Sequence, residues 1–284
     1  MADDKTRTPR PVAGGITKDT RLCLSLSGRP GNTGTRFHNY LYDACGLDYV
    51  YKAFTTDDIT AAVAGVRALQ VRGAAVSMPW KEDVIALVDE MDPSAQVIES
   101  VNTIVNTDGH LKAYNTDYIA IVELLRANRV PPQLETVVLG SGGMAKATVA
   151  ALRDEGFAAV TVVARNQATG TALAQKYGFA WAPEVGEGRP DLVINCTPVG
   201  MEGGAQAQDI PVADEVLQAA QVVFDVVPRP TWTPMLQRAR ELGRTCINGA
   251  EVMSIQALEQ FVLYTGVRPE PALVEQATAF SRQG

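Results

Sequence analysis

The sequence is poor in the residues that bind metals or form disulfides. It has only two histidines, His38 and His110, and they do not stand at metal-ligand spacing, so a histidine-based metal site is not expected. The four cysteines are scattered, and no two of them form a C-x-x-C pair. This arrangement is typical of reduced thiols, and we therefore expect a cytoplasmic protein.

Long apolar runs and basic clusters are also absent. No apolar segment approaches the ~20 residues that a membrane-spanning helix needs. The net charge is -7 and no Lys/Arg cluster occurs, so neither a membrane nor nucleic acid is an expected partner. With 284 residues, 46% of them hydrophobic, the composition indicates one large or two medium globular domains. We expect a small molecule as the partner, and a monomer or a homodimer.

The first part of the chain alternates between predicted strands and helices. Residues 1–19 are polar, and we interpret them as a disordered leader. Residues 20–116 favour a mostly parallel sheet with helices around it, which we predict to be a substrate-binding and catalytic domain. Its predicted strands are 22–26, 49–54 and 73–77, and its predicted helices are 35–45, 57–70 and one from Pro79 to about Met91.

A second alternating block follows a connecting helix and a Pro-Pro linker, residues 117–132. It covers residues 133–250, with predicted strands at 137–139, 160–164, 191–194, 222–226 and 244–247 and predicted helices at 143–155, 169–177 and 233–242. Residues 251–284 are predicted to be C-terminal helices that pack back on the first domain. The fold class predicted is α/β with two domains.

The turn after the first strand of the second block has the pattern G-x-G-x-x-A. Its residues are Gly140, Ser141, Gly142, Gly143, Met144 and Ala145. The first glycine permits a tight turn, the second lets backbone approach a pyrophosphate, and the alanine allows close packing of helix on strand. The free N–H groups of the following helix attract an anion. A strand–turn–helix setting favours dinucleotide binding over a glycine-rich turn without a ligand, so we predict a Rossmann cofactor domain.

The end of the next strand indicates which dinucleotide binds. NAD enzymes commonly place an acidic residue there to hold the ribose 2′-hydroxyl. Here the strand runs into Arg165 without an acid. An arginine can pair with a 2′-phosphate, and we therefore predict NADP, although a solvated surface arginine is the simpler alternative.

Short polar motifs elsewhere carry little weight one at a time. Lys81 ends the segment Ser77-Met78-Pro79-Trp80-Lys81, and Asp117 ends Asn115-Thr116-Asp117. A lone lysine is usually a surface charge, and a lone N-T-D is usually a helix cap. Together with other motifs, however, they resemble the shikimate dehydrogenase family in order and spacing over residues 20–268. The matching motifs are T-x-P-x-K at 77–81, V-N-T at 101–103, N-T-D at 115–117, the glycine-rich turn at 140–145, N-x-T-P-x-G-M at 195–201 and the glutamine segment at 249–256.

This resemblance implies a fold, a reaction and a set of site residues. The implied activity is reversible, NADP-dependent oxidation of shikimate to 3-dehydroshikimate, a step of aromatic amino acid biosynthesis. Lys81 and Asp117 would be catalytic, with Lys81 as the base that takes the hydroxyl proton. Ser77, Asn102 and Gln256 would bind substrate hydroxyls. The cofactor would contact the glycine-rich turn, Arg165, Asn195, Thr197, Met201 and Gly249, and it would meet the substrate between the two domains.

The sequence departs from the family at the substrate carboxylate. The family motif there is H-S-x-S-P-x-x-H-N, and its two serines hold the carboxylate. Here His38-Asn39 matches the end, while residues 31–35 replace the serine stretch. Four residues stay open as carboxylate ligands, and Arg29 or Arg36 could supply charge instead. The four candidates are Ser25, Ser27, Asn32 and Thr35.

These departures leave more than one function open. The loss of hydrogen-bond partners can lower activity on the old substrate by orders of magnitude, so we predict weak activity on shikimate. Quinate or an amino-substituted ring is an alternative substrate. A dinucleotide-binding protein with little turnover is a second class, which the altered loop favours and Lys81 and Asp117 oppose. A lysine-dependent dehydrogenase acting on folate is a third.

Overall fold

The computed structural model describes residues 15–283. Residues 1–14 of the leader predicted at 1–19 lie outside this range. The chain divides into two compact units. The first unit runs to Asn115 and resumes at Ala257, and the second unit is Thr116–Gln256. Each contains one six-stranded sheet with the order β2-β1-β3-β5-β6-β4 in the first and β12-β11-β10-β7-β8-β9 in the second.

The first sheet combines parallel and antiparallel strands. The parallel pairs are β1 with β2, β1 with β3 and β4 with β6. The strand predicted at 22–26 is β1, and both of its faces are largely buried, because Leu24 and Leu26 lie in one core cluster and Cys23 lies in another. The strands are β1 (Arg21–Ser27), β2 (Tyr49–Thr55), β3 (Gly73–Val76), β4 (Glu90–Met91), β5 (Thr103–Thr107) and β6 (His110–Tyr114).

Strands β5 and β6 form an antiparallel hairpin that the sequence analysis did not assign. The two strands pair Thr107 with His110 at the turn. The two turn residues, Asp108 and Gly109, both have positive φ, 52° and 89°. Two-residue hairpin turns of type I′ require this conformation and favour Asp-Gly, so the dipeptide was a usable signal for the hairpin.

The predicted helix from Pro79 to Met91 is wrong. A turn follows Ser77, and only Asp83–Leu87 is helical, as a short 3₁₀ segment. The N–H of Asp89 donates to the carbonyl of Leu111 (2.9 Å), and residues 90–91 then pair with β6 as β4. Pairing with a strand that lies later in the chain therefore overrides the helical start that the proline suggested.

The helices of the first unit cover its sheet, and an aromatic cluster lies on one side. α1 packs against α10, and Phe37, His38, Tyr42 and Tyr264 are buried together. The α-helices of this unit before residue 116 are α1 (Thr33–Ala44), α2 (Ile59–Ala68) and α3 (Pro93–Gln96). Near the C-terminus the unit also contains α10 (Pro271–Ser281) and the part of α9 (Gly249–Thr265) that begins at Ala257.

The second unit is a fully parallel sheet with helices between its strands. Its strand order, with β7 and β10 side by side and the chain winding outward from them in both directions, is that of a Rossmann fold. β9 and α7 were not predicted, because three-residue strands and six-residue helices carry little periodicity. The elements are α4 (Thr116–Ala127), β7 (Thr136–Leu139), α5 (Gly143–Asp154), β8 (Val160–Val163), α6 (Gln167–Tyr177), β9 (Ala180–Ala182), β10 (Leu192–Asn195), α7 (Asp214–Ala219), β11 (Val222–Asp225), α8 (Pro234–Glu241) and β12 (Thr245–Asn248). Among residues 15–283, no helix is both long enough and apolar enough to cross a bilayer.

Candidate functional site

The glycine-rich turn lies at the carboxyl end of β7, where the winding of the second sheet reverses. Open α/β sheets bind ligands at this switch point. Gly140 has φ +109°, and a Cβ there would lie 3.3 Å from the carbonyl oxygen of Cys196. Both the backbone conformation and the closeness of the loop after β10 therefore require glycine at this position.

The start of α5 leaves room for a phosphate. No atom lies within 4 Å of the Cβ positions of Gly142 and Gly143, and Gly142 caps the helix without a side-chain hydrogen bond. The side of the first turn of α5 at these two glycines is therefore open, which leaves room for a pyrophosphate. Ala145 is fully buried, which agrees with close packing of α5 on its sheet. The turn fits a dinucleotide.

Arg165 lies beside this turn at the end of β8. It is exposed, and it has no hydrogen-bond or salt-bridge partner within residues 15–283. Ser141 and Thr169 approach each other through their hydroxyls (2.8 Å), and Thr169 N–H donates to Asn166 Oδ1 (3.2 Å). Arg165, Asn166 and Ser141 line the same cleft of the second unit as Gly140 and Gly142. An uncommitted cation beside these hydroxyls fits the 2′-phosphate of NADP.

A buried carboxylate fixes the loop after β10. Asp225 is fully buried and accepts from Thr233 Oγ1 (2.6 Å), Asn195 Nδ2 (3.1 Å) and the N–H of Val227 (3.0 Å). Asn195 Oδ1 in turn accepts from Thr197 Oγ1 (2.6 Å) and N–H (3.0 Å). Burial raises the pKa of Asp225 to about 6 against these hydrogen bonds, which lower it. Asn195 therefore orders the loop, and Thr197 lines the cleft.

The remaining cofactor candidates of the sequence analysis occupy different settings. Met201 is 36% exposed, and Met144 is half-buried in the first turn of α5. A Cβ on Gly249 would lie 2.3 Å from the carbonyl oxygen of Val227. Close backbone packing alone therefore explains the glycine at 249, and its role toward the cofactor stays a prediction.

In the first unit, Lys81 is held next to the V-N-T motif. The N–H of Val101 donates to the carbonyl of Lys81 (2.8 Å). Asn102 is fully buried, and its Oδ1 accepts from Thr103 Oγ1 (2.8 Å). Lys81 is half-buried. The structure thus brings the backbone of Lys81 beside Val101, the first residue of the V-N-T motif.

Three candidate serines lie on β1 and just beyond the end of β3. The N–H of Ser77 donates to the carbonyl of Leu26 (3.0 Å), so Ser77 lies beside Ser27 at the carboxyl ends of two parallel strands. The Ser27 hydroxyl accepts from the N–H of Arg29 (3.1 Å). Ser25 is half-buried, and it faces Ala75 across the β1–β3 pair.

The rebuilt loop and the start of α1 contain the other carboxylate candidates. Asn32 is exposed and precedes α1 without a side-chain capping bond. The Thr35 hydroxyl is buried and has no hydrogen-bond partner in the described part of the chain. Arg36 is committed elsewhere, because its guanidinium donates twice to the carbonyl of Phe280 (3.2 and 3.1 Å).

The N-T-D and glutamine segments are buried to different degrees. Asn115 Nδ2 donates to the carbonyl of Ser100 (2.9 Å), and Asp117 is buried in the first turn of α4. Gln256 is half-buried. Gln260, which the sequence analysis passed over, is buried and donates through Nε2 to Thr103 Oγ1 (3.1 Å). Q-A-L-E-Q contains both glutamines, so the sequence offered two candidates one helical turn apart.

No group of His, Cys, Asp or Glu within residues 15–283 is arranged to hold a metal ion. The described residues instead define an α/β unit with Lys81 beside the V-N-T motif, together with a Rossmann unit whose cleft fits a phosphorylated dinucleotide. These are the features of a two-unit dinucleotide-dependent dehydrogenase.

Comparison with known proteins identifies the family. A family model, the shikimate dehydrogenase substrate binding domain, matches residues 33–104. A shikimate dehydrogenase-like protein of Haemophilus influenzae is 51% identical over 267 residues, which cover 94% of this chain and 98% of that protein. The chain therefore belongs to the shikimate dehydrogenase family, as its motifs predict.

Solved structures support the same assignment. The structure of a shikimate 5-dehydrogenase-like protein superposes with a TM-score of 0.92 at 51% identity, over 94% of this chain and 100% of that one. Shikimate 5-dehydrogenase from Thermus thermophilus, in complex with NADP(H) and shikimate, superposes with a TM-score of 0.82 at 30% identity, over 92% and 99% of the two chains. The predicted α/β fold with a C-terminal Rossmann domain is confirmed.

Proposed function

We propose that this protein is an NADP-dependent dehydrogenase that interconverts a shikimate-like ring alcohol and its ketone. The observation that carries the proposal is that one chain contains both a cleft that fits a phosphorylated dinucleotide and a lysine that can accept a proton. The second unit has an open phosphate cradle beside the uncommitted Arg165. The first unit holds Lys81 next to the buried Asn102.

The chain's own residues divide the work of alcohol oxidation between them. NADP, when bound, supplies the acceptor for the hydride. Within the first unit, Lys81 takes the hydroxyl proton, and Asn102 and Ser77 hold neighbouring hydroxyls, so that the reacting carbon is presented in one orientation. By resemblance to the family, Asp117 and Gln256 are further substrate-binding candidates. Thr197, fixed by Asn195 and Asp225, limits how the nicotinamide end is placed.

We expect shikimate itself to be a poor substrate. The reacting groups are present, but the stretch that holds the carboxylate in the family is rebuilt between Ser25 and Thr35. The loss of one charge-assisted hydrogen bond costs about 1.5–3 kcal/mol, which is roughly 10- to 100-fold in kcat/KM. The altered loop also favours the second candidate, a dinucleotide-binding protein with little turnover.

Steady-state kinetics on the Lys81→Met variant test the proposal. The change removes the proton acceptor, and we expect kcat for shikimate and quinate oxidation to fall about 100- to 10,000-fold while cofactor binding is retained. Asp117→Asn should act in the same direction. Lys52→Met is the matched control, because Lys52 is an exposed lysine of the same unit that lies over the ring of Phe54.

The possible outcomes separate the two functions. Full activity of Lys81→Met would remove the assigned mechanism. If the unchanged protein binds NADP+ but oxidises no cyclic polyol acid with either cofactor, it is a binding protein instead. A cytoplasmic location and a monomeric or homodimeric state stay predictions.

A further inference from the structure

Gly34 stands where the family motif has its second serine. Alignment of H-S-x-S-P-x-x-H-N on His38-Asn39 places the two serines at residues 32 and 34, which are Asn32 and Gly34 here. Gly34 lies in the first turn of α1. This position therefore has no hydroxyl, and the space that a serine side chain would fill is vacant.

A tyrosine hydroxyl from β2 faces that vacant space. A Cβ on Gly34 would lie 3.8 Å from the hydroxyl oxygen of Tyr51 and 3.9 Å from its Cε1. A serine hydroxyl at residue 34 would extend about one further bond from that Cβ, within reach of the phenol oxygen. Because residue 34 is glycine, it places no side chain of its own beside the phenol oxygen.

The Tyr51 side chain is held in one position. Its ring stacks on His38 with 4.4 Å between ring centroids and 10° between ring planes. Asn39 binds both backbone groups of Tyr51, donating from Nδ2 to the carbonyl (2.8 Å) and accepting from the N–H at Oδ1 (2.9 Å). Burial lowers the pKa of His38 to about 3, so the stacked ring is neutral. The His-Asn pair of the family motif therefore fixes the tyrosine.

A second hydroxyl lies near that of Tyr51. The Ser25 side chain is close enough to influence the pKa of Tyr51, which burial raises above its ordinary value. The phenol therefore keeps its proton at neutral pH and can donate it to an anion.

We propose that Tyr51 is a substrate-positioning residue whose hydroxyl, with that of Ser25, donates to the substrate carboxylate in place of the serine missing at Gly34. This inference rests on the proposed function, since it concerns the carboxylate of the same substrate. Hydroxyl donors to a carboxylate form short, charge-assisted hydrogen bonds. The substrate then binds deeper than a serine at residue 34 would allow, and bulk on that carboxyl group is disfavoured.

The Tyr51→Phe variant tests the proposal by removing one hydroxyl. We expect KM for shikimate to rise about tenfold with kcat nearly unchanged, as for the loss of one charge-assisted bond. The shikimate analogue that carries hydrogen in place of the carboxylate should show no change in KM between Tyr51→Phe and the unchanged protein. Tyr42→Phe is the matched control, because Tyr42 is fully buried in the same aromatic cluster and its hydroxyl has no partner that meets hydrogen-bond geometry. Adding Gly34→Ser to Tyr51→Phe should lower the shikimate KM again.

Equilibrium binding of shikimate keeps this test separate from that of the proposed function. If the unchanged protein binds shikimate but oxidises no cyclic polyol acid, the proposed function fails, and the Kd ratio of Tyr51→Phe to unchanged protein decides the inference. Equal losses for both alcohols, or an unchanged shikimate KM and Kd, would mean that Tyr51 is merely structural. If the unchanged protein neither binds shikimate nor oxidises any cyclic polyol acid, both proposals are overturned.

Discussion

Asp225 should make the stability of the second unit depend on pH between about 4 and 6. Its carboxylate is fully buried, and its pKa is raised from 3.8 to about 6 because burial disfavours the charged form. The folded state therefore binds more protons than the unfolded state within this window. The free energy of unfolding falls as pH rises through it, and the loss is complete above about pH 6. The difference in pKa corresponds to about 3 kcal/mol.

The Asp225→Asn variant isolates this contribution. An amide cannot ionise, and its oxygen can still accept from Asn195 and Val227, while its NH₂ can donate to the hydroxyl of Thr233. Urea unfolding should be followed by tryptophan fluorescence in a Trp80→Phe background, since the other two tryptophans lie in the second unit. The quantity to compare is the free energy of unfolding of the variant minus that of the parent, from pH 4 to 7.5.

We expect this difference to rise by about 3 kcal/mol across the window, in favour of the variant. Taking the difference between variant and parent cancels the contributions of the other acids to the pH dependence. One of these is Asp214, whose pKa the neighbouring Arg238 lowers to about 2. A difference that is flat, or that changes only above pH 7, would refute the assignment of a raised pKa to Asp225. A uniform loss at every pH would mean that the hydrogen bonds matter more than the charge.

Two further changes test the cofactor cleft and the packing of the second unit. Arg165→Ala should weaken NADP+ binding about tenfold or more, with little effect on NAD+, because it removes one charge-assisted contact to the 2′-phosphate; Arg189→Ala is the control, and an unchanged preference would remove the stated cause. Gly249→Ala should destabilise the protein by about 1–3 kcal/mol in urea unfolding, because its Cβ would overlap the carbonyl of Val227. Gly65→Ala, which meets nothing within 4 Å in α2, should stabilise it by about 0.5–1 kcal/mol, and similar effects of the two alanines would contradict the packing argument.

The parts of the fold that the sequence predicted are those that local pattern determines. The glycine-rich turn, the strand before it and the helix after it lie within 20 residues, and all three formed as predicted. The helix expected after Pro79 failed because residues 89–91 pair with β6, some 20 positions later. The hydrophobic pattern of a short segment gives no information about a strand elsewhere in the chain with which that segment pairs.

The same limit applies to the candidate site. Tyr51 reads as one more aromatic residue of a strand, and its proximity to Gly34 appears only when β2 and α1 are brought together. The Asp225 network needs three separate segments of the second unit. By contrast, the role proposed for Arg165 follows from the sequence alone, because the residue at the end of the second Rossmann strand commonly contacts the ribose of the cofactor.

The family motifs that this chain retains and those that it alters indicate how its substrate specificity could differ from that of its relatives. In the proposed mechanism, proton and hydride transfer need Lys81, Asp117 and the cofactor, whereas other residues hold the carboxylate. Binding energy from that remote end is used to orient the reacting carbon, so a changed anchor alters kcat/KM for one substrate without changing the reaction. A protein that had lost catalysis would be slow on every alcohol. A protein with a rebuilt anchor would be slow on shikimate and faster on the acid whose carboxylate reaches Tyr51, so the ranking of substrates, rather than the rate on any single one, separates the two cases.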